Sequence, residues 1–384
     1  MKIIVNTRSL LKDRLDGIGW FTYETMKRIT LNRPFDQFYF LFDRPFSEEF
    51  VFSNNIEPIV IGPPTRHPVL WYYWFEKQLP RLINRLNPDI FVSPDGYLSL
   101  KSQVKSLAVI HDINFLHFPK DLPFTSRWFY NHYFPLYAHK ADRIATVSEY
   151  SKKDIVENYL IEPVKIDVLY NGYNSVYQPV ADKIKLEIKS QYCDGFDYFI
   201  FIGSLLPRKN VANMLQAYEQ FRKMSSHKIK FVIIGEHFFK TDDIRKTLAK
   251  MHFKNDVQFL GRLEPSEIRN LLASAIALLL VSKFEGFGIP VLEALRCETP
   301  VIVSDVASLP EVALDAAIYA NPFSPESICD AMIKMLNKKG LREQLIENGK
   351  SVCQRYSWDK TSDLFWQSIT KTIDTIEFNK IKAQ

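Results

Sequence analysis

The sequence predicts an α/β protein made of two doubly wound domains, and three observations indicate this class. Short apolar runs rich in Val, Ile and Phe alternate with longer segments of helical periodicity. These runs are almost continuously apolar, which is typical of parallel strands that helices bury on both faces. A polar stretch near the middle separates two sets of runs, and 384 residues suffice for two domains of ordinary size.

Seven strands are predicted before the polar stretch and five after it. The first set is Lys2–Asn6, Gln37–Asp43, Pro58–Ile61, Asp89–Ser93, Leu107–Ile110, Ile144–Val147 and Ile166–Leu169. The second set is Tyr198–Gly203, Ile229–Gly235, Val257–Leu260, Ala277–Val281 and Pro300–Ser304. In open α/β sheets ligands bind beyond the carboxyl ends of the strands, so functional residues are expected in the loops that follow strands.

The polar stretch Asn171–Asp197 carries Asn-Gly, Gln-Pro and several charges, so we predict a linker there. The predicted domains are residues 1–174, an acceptor-binding Rossmann-like domain, and residues 175–360, a second Rossmann-like domain. Residues 361–384 are predicted to form a C-terminal helix that packs back on the first domain. A cleft is expected between the two domains.

Composition narrows the classes of function. A hydrophobic content of 46% argues against disorder, and a net charge of +5 from 49 basic and 44 acidic residues does not indicate a nucleic-acid binder. Four cysteines without C-x-x-C spacing indicate reduced thiols. The N-terminal run predicts a strand and not a signal peptide, and no apolar run is long enough to span a bilayer. We therefore predict a cytoplasmic protein, with the inner face of the membrane as a further place of contact.

The segment Ser282–Leu295, SKFEGFGIPVLEAL, is the most informative stretch of the chain. Gly286, Phe287 and Gly288 form a loop between a predicted strand and a helix that begins at Pro290. Backbone amides at a helix N-terminus favour anions such as phosphate. Glu285 and Glu293 flank the loop, and carboxylates there suit hydroxyl groups on either side of a diphosphate. The alternative is a surface loop with an ordinary acidic first turn of the helix, which would contain Glu293.

Three other stretches follow strands or precede helices. Arg208 and Lys209 lie in the loop after the first strand of the second domain, where a cation about 4 Å from a phosphate contributes roughly 4 kcal/mol before desolvation. His111 and Asp112 end a strand of the first domain and either exchange protons with a substrate or cap the strand. Gly17 and Gly19 precede a helix without the third glycine of a dinucleotide fingerprint.

The aromatic stretch Trp71–Phe75, WYYWF, is flanked by basic residues. It predicts either helix packing with partial exposure at an acceptor site or contact with a membrane interface.

Taken together, these motifs resemble retaining glycosyltransferases of family 4, which have the GT-B fold and include many mannosyltransferases. The resemblance covers almost the whole chain and keeps the order of the motifs. It rests on E-G-F-G-I-P-V-L-E-A at 285–294, Gly203–Asn210, His111-Asp112, Gly17-Ile-Gly19, Thr146–Ser151, Asn171-Gly172, Thr299–Ser304 and Ser308–Glu311.

The resemblance implies roles for individual residues. Glu285, Lys209 and His111 would be catalytic: Glu285 and His111 would contact the transferred sugar, and Lys209 with Arg208 would neutralise the leaving diphosphate. Glu293 would hold the ribose hydroxyls. The remaining donor-binding residues would contact the nucleotide sugar mainly through their backbone and are Gly17, Gly19, Gly286, Phe287, Gly288, Ile289 and, around the nucleobase, Gly235, Leu260 and Arg262.

Two residues depart from the pattern of the family. Ser204 stands where many members carry an arginine, and Arg208 is our hypothesis for its replacement. Glu298 stands where a glycine is usual, which puts the local backbone in question. The chain has no D-x-D tripeptide, so we predict an enzyme that needs no metal and no cofactor.

The predicted function is retaining transfer of a hexose, with GDP-mannose as the first donor, to a saccharide or lipid-linked saccharide in surface polysaccharide synthesis (lipopolysaccharide or capsule). The predicted partners are this nucleotide-sugar donor and this acceptor, with peripheral membrane contact and no nucleic acid. UDP-hexose donors, a non-catalytic subunit that binds sugar nucleotides and an NAD-dependent oxidoreductase are the alternatives. The incomplete glycine fingerprint disfavours the oxidoreductase.

Overall fold

The chain folds into two compact units, each built around its own parallel sheet. The computed structural model describes residues 1–236 and 242–381. The first unit comprises Met1–Asn171 together with the segment that begins at Trp358, and the second comprises Gly172–Ser357. The sequence places these divisions after residues 174 and 360. Residues 382–384 of the predicted C-terminal helix lie outside the described residues.

The first unit contains a seven-stranded sheet in the order β3-β2-β1-β4-β5-β6-β7, in which every pairing is parallel. Buried apolar residues fill most of the inner strands, as in Ile3, Ile4 and Val5, because helices cover both faces of the sheet. The strands are β1 (Lys2–Asn6), β2 (Gln37–Phe42), β3 (Ile56–Val60), β4 (Ile90–Ser93), β5 (Lys105–Val109), β6 (Arg143–Thr146) and β7 (Ile166–Val168).

Seven α-helices belong to the described part of this unit. They are α1 (Gly17–Asn32), α2 (Pro68–Tyr73), α3 (Leu79–Leu86), α4 (Asn114–His117), α5 (Phe124–Lys140), α6 (Glu149–Tyr159) and α15 (Trp358–Ile381). The C-terminal helix α15 packs against α1, where the ring of Phe21 lies 6.3 Å from Trp358 and 5.4 Å from Phe365 between centroids.

The second unit contains a six-stranded parallel sheet in the order β10-β9-β8-β11-β12-β13. Its strands are β8 (Tyr198–Ile202), β9 (Lys230–Ile234), β10 (Val257–Gly261), β11 (Ala277–Leu280), β12 (Val301–Ser304) and β13 (Ala317–Ala320). The sequence does not predict the edge strand β13, whose four residues alternate between buried and more exposed positions. The two sheets confirm the prediction of two Rossmann-like α/β domains.

Eight helices accompany this sheet in the described residues. They are α7 (Asp182–Cys193), α8 (Val211–Met224), α9 (Asp242–Lys250), α10 (Pro265–Ser274), α11 (Ile289–Arg296), α12 (Leu309–Ala313), α13 (Pro325–Asn337) and α14 (Leu341–Cys353). The prediction of a linker over Asn171–Asp197 is wrong across α7, which packs against α10. The sequence pattern does not indicate this helix, because its residues are mostly charged and only Ile188 and Cys193 are buried.

Among the helices of residues 1–236 and 242–381, none is both long and apolar enough to cross a membrane.

Candidate active site

Two neighbouring strands of the second sheet position the motifs that the sequence singles out. β8 and β11 are adjacent and parallel, so the loops that follow them lie side by side at one edge of the sheet. Asn210 links the loop after β8 to the loops after β11 and β13, because its side-chain amide donates to the carbonyl oxygens of Val281 (2.9 Å) and Pro322 (2.7 Å). The backbone amide of Lys283 donates to the carbonyl oxygen of Arg208 at 2.8 Å. The basic motif and the acidic loop therefore form one site.

The glycine loop ends at Gly288, where α11 begins. Gly288 has φ +98°, in the left-handed region, and a Cβ atom there would lie 2.5 Å from the Cδ2 atom of Leu309. Both features favour glycine, since a side chain there would meet backbone strain and would need the Leu309 side chain to move. Ile289 and Pro290 are the first two residues of α11, so the loop leads into a helix N-terminus, as predicted.

Glu285 is buried in this loop beside two cations. The Nζ atom of Lys209 donates to both carboxylate oxygens, at 2.6 and 2.7 Å, and the hydroxyl of Ser282 donates to Oε1 at 2.8 Å. The Nη1 atom of Arg208 lies 3.8 Å from Oε2. Burial opposes ionisation of Glu285, but the charges of Lys209 and Arg208 and the hydrogen bonds from Lys209 and Ser282 outweigh it and lower its pKa. Glu285 is therefore an ionised hydrogen-bond acceptor.

The cluster of Arg208, Lys209 and Glu285 has two positive side chains and one negative side chain, and thus a net charge of +1. All three side chains are at most 15% exposed. Charge interactions are stronger in such a partly desolvated place than on an open surface. The cluster can therefore hold an anionic group with the two cations while the carboxylate accepts hydrogen bonds from neighbouring hydroxyls.

Glu293 lies in a different environment. It is the fifth residue of α11, so the prediction that it belongs to the first helical turn is wrong: the helix begins at Ile289, one residue before Pro290. The phenol of Tyr177 is hydrogen-bonded to its carboxyl group, and burial raises the pKa of Glu293 to about 8 despite this bond. Glu293 therefore carries a proton near pH 7, whereas Glu285 is ionised.

The predicted nucleobase loops follow β9 and β10. The amide of Gly235 donates to the carbonyl oxygen of Gly261 at 2.8 Å, and a Cβ atom on Gly235 would lie 1.9 Å from the carbonyl oxygen of Gly203. Glycine at 235 thus lets the loops after β8, β9 and β10 approach closely. Leu260 is partly exposed and Arg262 exposed at this edge, where the Arg262 Nη1 atom lies 4.0 Å from the Glu236 carboxylate. Their contact with a base stays a prediction.

His111, Gly17 and Gly19 belong to the first unit. The Nε2 atom of His111 lies 2.9 Å from the carbonyl oxygen of Pro94, and burial lowers the pKa of the imidazole. The neutral ring donates its Nε2 proton to this carbonyl, which leaves Nδ1 as an acceptor for a hydroxyl.

The two glycines at the start of α1 differ. A Cβ atom on Gly19 would lie 2.9 Å from the carbonyl oxygen of Ser9, and the Gly19 amide donates to the Asp16 side chain at 2.8 Å. Gly19 therefore serves close packing and the helix cap. Gly17 is the exposed first residue of the helix, and a Cβ atom there would meet nothing within 4 Å.

Some partners in the site were not assigned from the sequence. Asn210, Ser282 and Ser308 lie within the recognised motifs, and the Ser308 hydroxyl donates to the Glu285 carbonyl oxygen at 2.8 Å. Their position within those motifs is the feature of the sequence that could have indicated a role in the site. Tyr177, the partner of Glu293, lies in the predicted linker, where no motif of the sequence indicates a role in the site.

Of the two departures from the family pattern, Glu298 has a local explanation, and the replacement of an arginine at Ser204 by Arg208 stays a hypothesis. Glu298 adopts φ +57°, the left-handed conformation that glycine takes without strain, and its carboxylate lies 3.4 Å from Lys350. Ser204 is partly exposed just beyond β8. Arg208 places its guanidinium against the carbonyl oxygen of Phe284 at 3.3 Å.

Over residues 1–236 and 242–381, no three His, Cys, Asp or Glu side chains converge as ligands for a metal ion.

Comparison with known proteins places these motifs in a family. Residues 183–352 match the model for glycosyl transferases group 1, and residues 29–176 match the model for Glycosyltransferase Family 4. The chain is 25% identical over 375 residues to O-antigen chain mannosyltransferase B of Escherichia coli, covering 94% of this chain and 97% of the relative. It is 27% identical over 263 residues to O-antigen chain mannosyltransferase RfbU of Salmonella typhimurium, covering 68% and 69%.

Among solved structures, Anabaena Alr3699/HepE in complex with UDP and glucose matches with a TM-score of 0.74 at 14% identity, covering 97% of this chain and all of that one. This likeness concerns the fold and agrees with the predicted GT-B class.

Proposed function

Because the chain belongs to glycosyltransferase family 4, we propose that it transfers a hexose from a nucleoside diphosphate sugar to a hydroxyl group of a saccharide or lipid-linked saccharide. GDP-mannose is the first donor proposed, since two relatives that cover most of this chain are named O-antigen mannosyltransferases. The product would belong to a surface polysaccharide, such as lipopolysaccharide or capsule, assembled on the cytoplasmic side of the membrane. A UDP-hexose donor is the alternative.

The cluster of Arg208, Lys209 and Glu285 beside a glycine loop is the observation that supports this proposal. Negative charge grows on the leaving diphosphate in the transition state, and fixed cations stabilise it there without further reorganisation. The net charge of +1 and the N-terminus of α11 act in the same direction. The ionised Glu285 then accepts hydrogen bonds from hydroxyls of the transferred sugar.

The proposed mechanism retains the anomeric configuration and uses the leaving diphosphate to accept the proton of the acceptor hydroxyl. Lys209 and Arg208 supply the positive charge, so the proposal includes no metal ion and no resident cofactor. Glu293 binds the ribose hydroxyls, and the loops after β9 and β10 contact the base. The contact of His111 with a hydroxyl of the sugar is also part of the proposal, with Nδ1 as the acceptor.

Thermal unfolding with a panel of nucleotides and nucleotide sugars tests the donor. A nucleotide at a hundredfold excess over its dissociation constant stabilises the fold by about 2.7 kcal/mol. We expect GDP and GDP-mannose to raise the melting temperature, with UDP, UDP-glucose and NAD as comparisons. Stabilisation by UDP compounds alone would replace the GDP-mannose assignment, and stabilisation by none would contradict the donor site.

A transfer assay distinguishes an enzyme from a non-catalytic subunit. Glu285→Ala is expected to abolish transfer to a saccharide acceptor while the protein still unfolds cooperatively. Equal transfer by this variant and the unaltered chain would contradict a catalytic role for Glu285. A chelator is expected to leave the rate unchanged, and loss of activity that Mn²⁺ restores would contradict metal independence.

A further inference from the structure

Three adjacent strands of the first sheet bring a buried ion pair to the same edge as His111. β1, β4 and β5 lie side by side and parallel, so the loops that follow them meet at one edge of the sheet. Arg8 follows β1, Asp95 follows β4 and His111 follows β5. The Nη2 atom of Arg8 lies 2.8 Å from Oδ2 of Asp95, and the two side chains are only 8% and 11% exposed.

The Asp95 carboxylate fixes a tight turn from Ser93 to Gly96, in which the amide of the last residue donates to the carbonyl oxygen of the first at 3.2 Å. Proline in the second position, as here, suits such a turn because its ring presets the backbone. The Ser93 hydroxyl donates to Oδ1 of Asp95 at 2.9 Å, and the side-chain amide of Asn6 donates to the same oxygen at 2.6 Å. The other oxygen accepts from Arg8, so both oxygens of the carboxylate are held.

A carbonyl group of this turn sets the hydrogen bonding of His111. The carbonyl oxygen of Pro94, the second residue of the turn, lies 2.9 Å from Nε2 of His111. A carbonyl oxygen only accepts, so Nε2 carries the proton of the neutral ring and Nδ1 is an acceptor. The ring of Phe21 meets the imidazole edge to face, with centroids 5.0 Å apart. The place of the turn therefore determines both the tautomer and the orientation of the imidazole.

The guanidinium of Arg8 is engaged inside the first unit. Each of its three nitrogen atoms donates to a side chain of that unit, and Nη1 reaches the Thr65 hydroxyl at 2.7 Å. The guanidinium carbon also lies 4.6 Å from the ring centroids of both Phe75 and Tyr97. Apolar residues of similar volume often stabilise a fold as well as a buried ion pair does. Stability alone therefore does not account for an arginine here.

From this arrangement we propose that Arg8 and Asp95 are positioning residues for His111. The ion pair clamps the turn, and the Pro94 carbonyl then holds the imidazole in the tautomer that accepts a hydroxyl at Nδ1. The contact of that nitrogen with the donor sugar rests on the proposed function. The effect of the ion pair on the imidazole does not, because it needs neither donor nor acceptor.

Nuclear magnetic resonance of the full chain, labelled with ¹⁵N in its histidine side chains, tests the effect on the imidazole without any substrate. Loss of a signal in His111→Gln identifies the ring among the eight histidines. The nitrogen shifts distinguish the two tautomers, and their pH dependence gives the pKa. We expect the Nε2-protonated tautomer in the unaltered chain and both tautomers in Arg8→Met and Asp95→Asn, in which the turn is released.

The charges of the ion pair give a second signature in the pKa of His111. Burial lowers this pKa, whereas the Pro94 carbonyl and three carboxylates raise it, those of Asp112, Asp16 and Asp95. Both variants release the turn, but Arg8→Met leaves a negative charge near the ring and Asp95→Asn a positive one. The pKa should therefore be higher in Arg8→Met than in Asp95→Asn, by about half a pH unit or more. A purely structural role would shift it equally in both.

Arg222→Met is the matched control. Arg222 is 9% exposed, pairs with Asp256 and lies 4.7 Å from the ring centroid of Phe253, but it belongs to the second unit. This variant should lose stability without altering the signals of His111. Arg8→Lys keeps the positive charge and a donor, so it should retain mainly the Nε2-protonated tautomer.

Transfer of sugar is the second readout. Arg8→Met should turn over about tenfold to hundredfold more slowly, since small misplacements of a positioned group have effects of this size, and Arg8→Lys should recover most of the rate. Both should bind a nucleoside diphosphate with unchanged affinity, because Arg208 and Lys209 belong to the second unit.

Two results would overturn the positioning role, whatever the rates of transfer. They are an unchanged tautomer in Arg8→Met and Asp95→Asn, and equal pKa values of His111 in these two variants. If Arg8→Met does not fold, an unchanged tautomer in Asp95→Asn overturns the role. An unaltered chain that transfers no sugar would count against the proposed function alone, because the spectra without substrate still decide the role of Arg8.

Discussion

Replacing Glu285 by Gln is expected to separate donor binding from catalysis. The change preserves the shape of the side chain and removes one negative charge from the cluster, so its net charge rises from +1 to +2. The unaltered carboxylate repels a bound diphosphate while it stabilises the two cations. We therefore expect Glu285→Gln to bind a nucleoside diphosphate at least as tightly as the unaltered chain and to transfer sugar much more slowly.

The magnitudes follow from the charges of the cluster and a typical distance between a carboxylate and a bound phosphate. At an effective dielectric constant of 20, a carboxylate about 6 Å from a phosphate repels it by about 2.8 kcal/mol, and screening in a partly exposed site reduces this to about 1 kcal/mol. The nucleotide should then bind about fivefold more tightly, since about 1.4 kcal/mol corresponds to a factor of ten. Turnover should fall by about 10²-fold to 10³-fold, the typical effect of losing one contact that stabilises the transition state.

The free variant should also be less stable. Lys209 donates to both oxygens of Glu285 at 2.6 and 2.7 Å, and its side chain is only 14% exposed. Removing one partner of a buried ion pair costs up to about 3–5 kcal/mol because the other charge remains buried. A bound diphosphate supplies a new partner for Lys209, so the nucleotide should raise the melting temperature of Glu285→Gln more than that of the unaltered chain.

Isothermal titration with nucleoside diphosphate, thermal unfolding and initial rates of transfer measure the three effects. Glu219→Gln is the matched control, because Glu219 is a buried carboxylate of the same unit that lies 3.1 Å from Lys223 and 3.0 Å from His252. It should lose stability without a change in nucleotide affinity. A tenfold loss of nucleotide affinity in folded Glu285→Gln would refute the division of roles between carboxylate and cations, and so would unchanged turnover.

Three further predictions concern neighbouring residues. Arg208→Ala should weaken nucleoside diphosphate binding about tenfold in titration, since it removes one of two cations, and unchanged affinity would remove Arg208 from the site. The free energy of unfolding of Glu293→Gln, measured in urea, should equal that of the unaltered chain at pH 5 and be larger at pH 9. Burial raises the pKa of Glu293 to about 8, so the free energy of unfolding falls by about 1.4 kcal/mol per pH unit as the pH rises from the unfolded to the folded pKa. Glutamine cannot ionise, so this contribution is absent from the variant. A difference in the free energy of unfolding that did not change with pH would contradict this. Gly288→Ala should cost more stability than Gly340→Ala, because both glycines have positive φ but only a Cβ at 288 meets a neighbour. Equal costs would show that Leu309 yields without strain.

Most of the fold was predictable because parallel strands buried on both faces are apolar along their whole length. β8 is an unbroken apolar run, β9 is apolar after Lys230, and the loops of the site follow both strands directly. The edge strand β13 was not predicted, because its four residues, AIYA, include two alanines and alternate in burial. α7 was not predicted because only Ile188 and Cys193 of the helix are buried and most of its other residues are charged or polar. Local composition thus identifies strands with a distinct apolar run, and misses a very short strand such as β13 and a mostly charged helix such as α7.

The candidate site was predictable in its residues but not in its pairings. The motifs place Lys209 and Glu285 in two different loops, and only the adjacency of β8 and β11 brings Nζ within 2.6 Å of the carboxylate. Likewise, Tyr177 reaches Glu293 from a segment that reads as a linker. Sequence patterns identify loops after strands, whereas the order of strands in the sheet decides which loops meet.

The two carboxylates of the glycine loop differ in protonation because their neighbours differ in charge. Both are withdrawn from water, which by itself favours the neutral acid. Two cations reverse that preference at Glu285, whereas the neutral phenol of Tyr177 does not reverse it at Glu293. An ionised Glu285 accepts hydrogen bonds only, while a protonated Glu293 both donates and accepts. A pair of neighbouring hydroxyls, as on a ribose, suits a group with both capacities, and Glu293 can bind them without adding a negative charge beside a diphosphate.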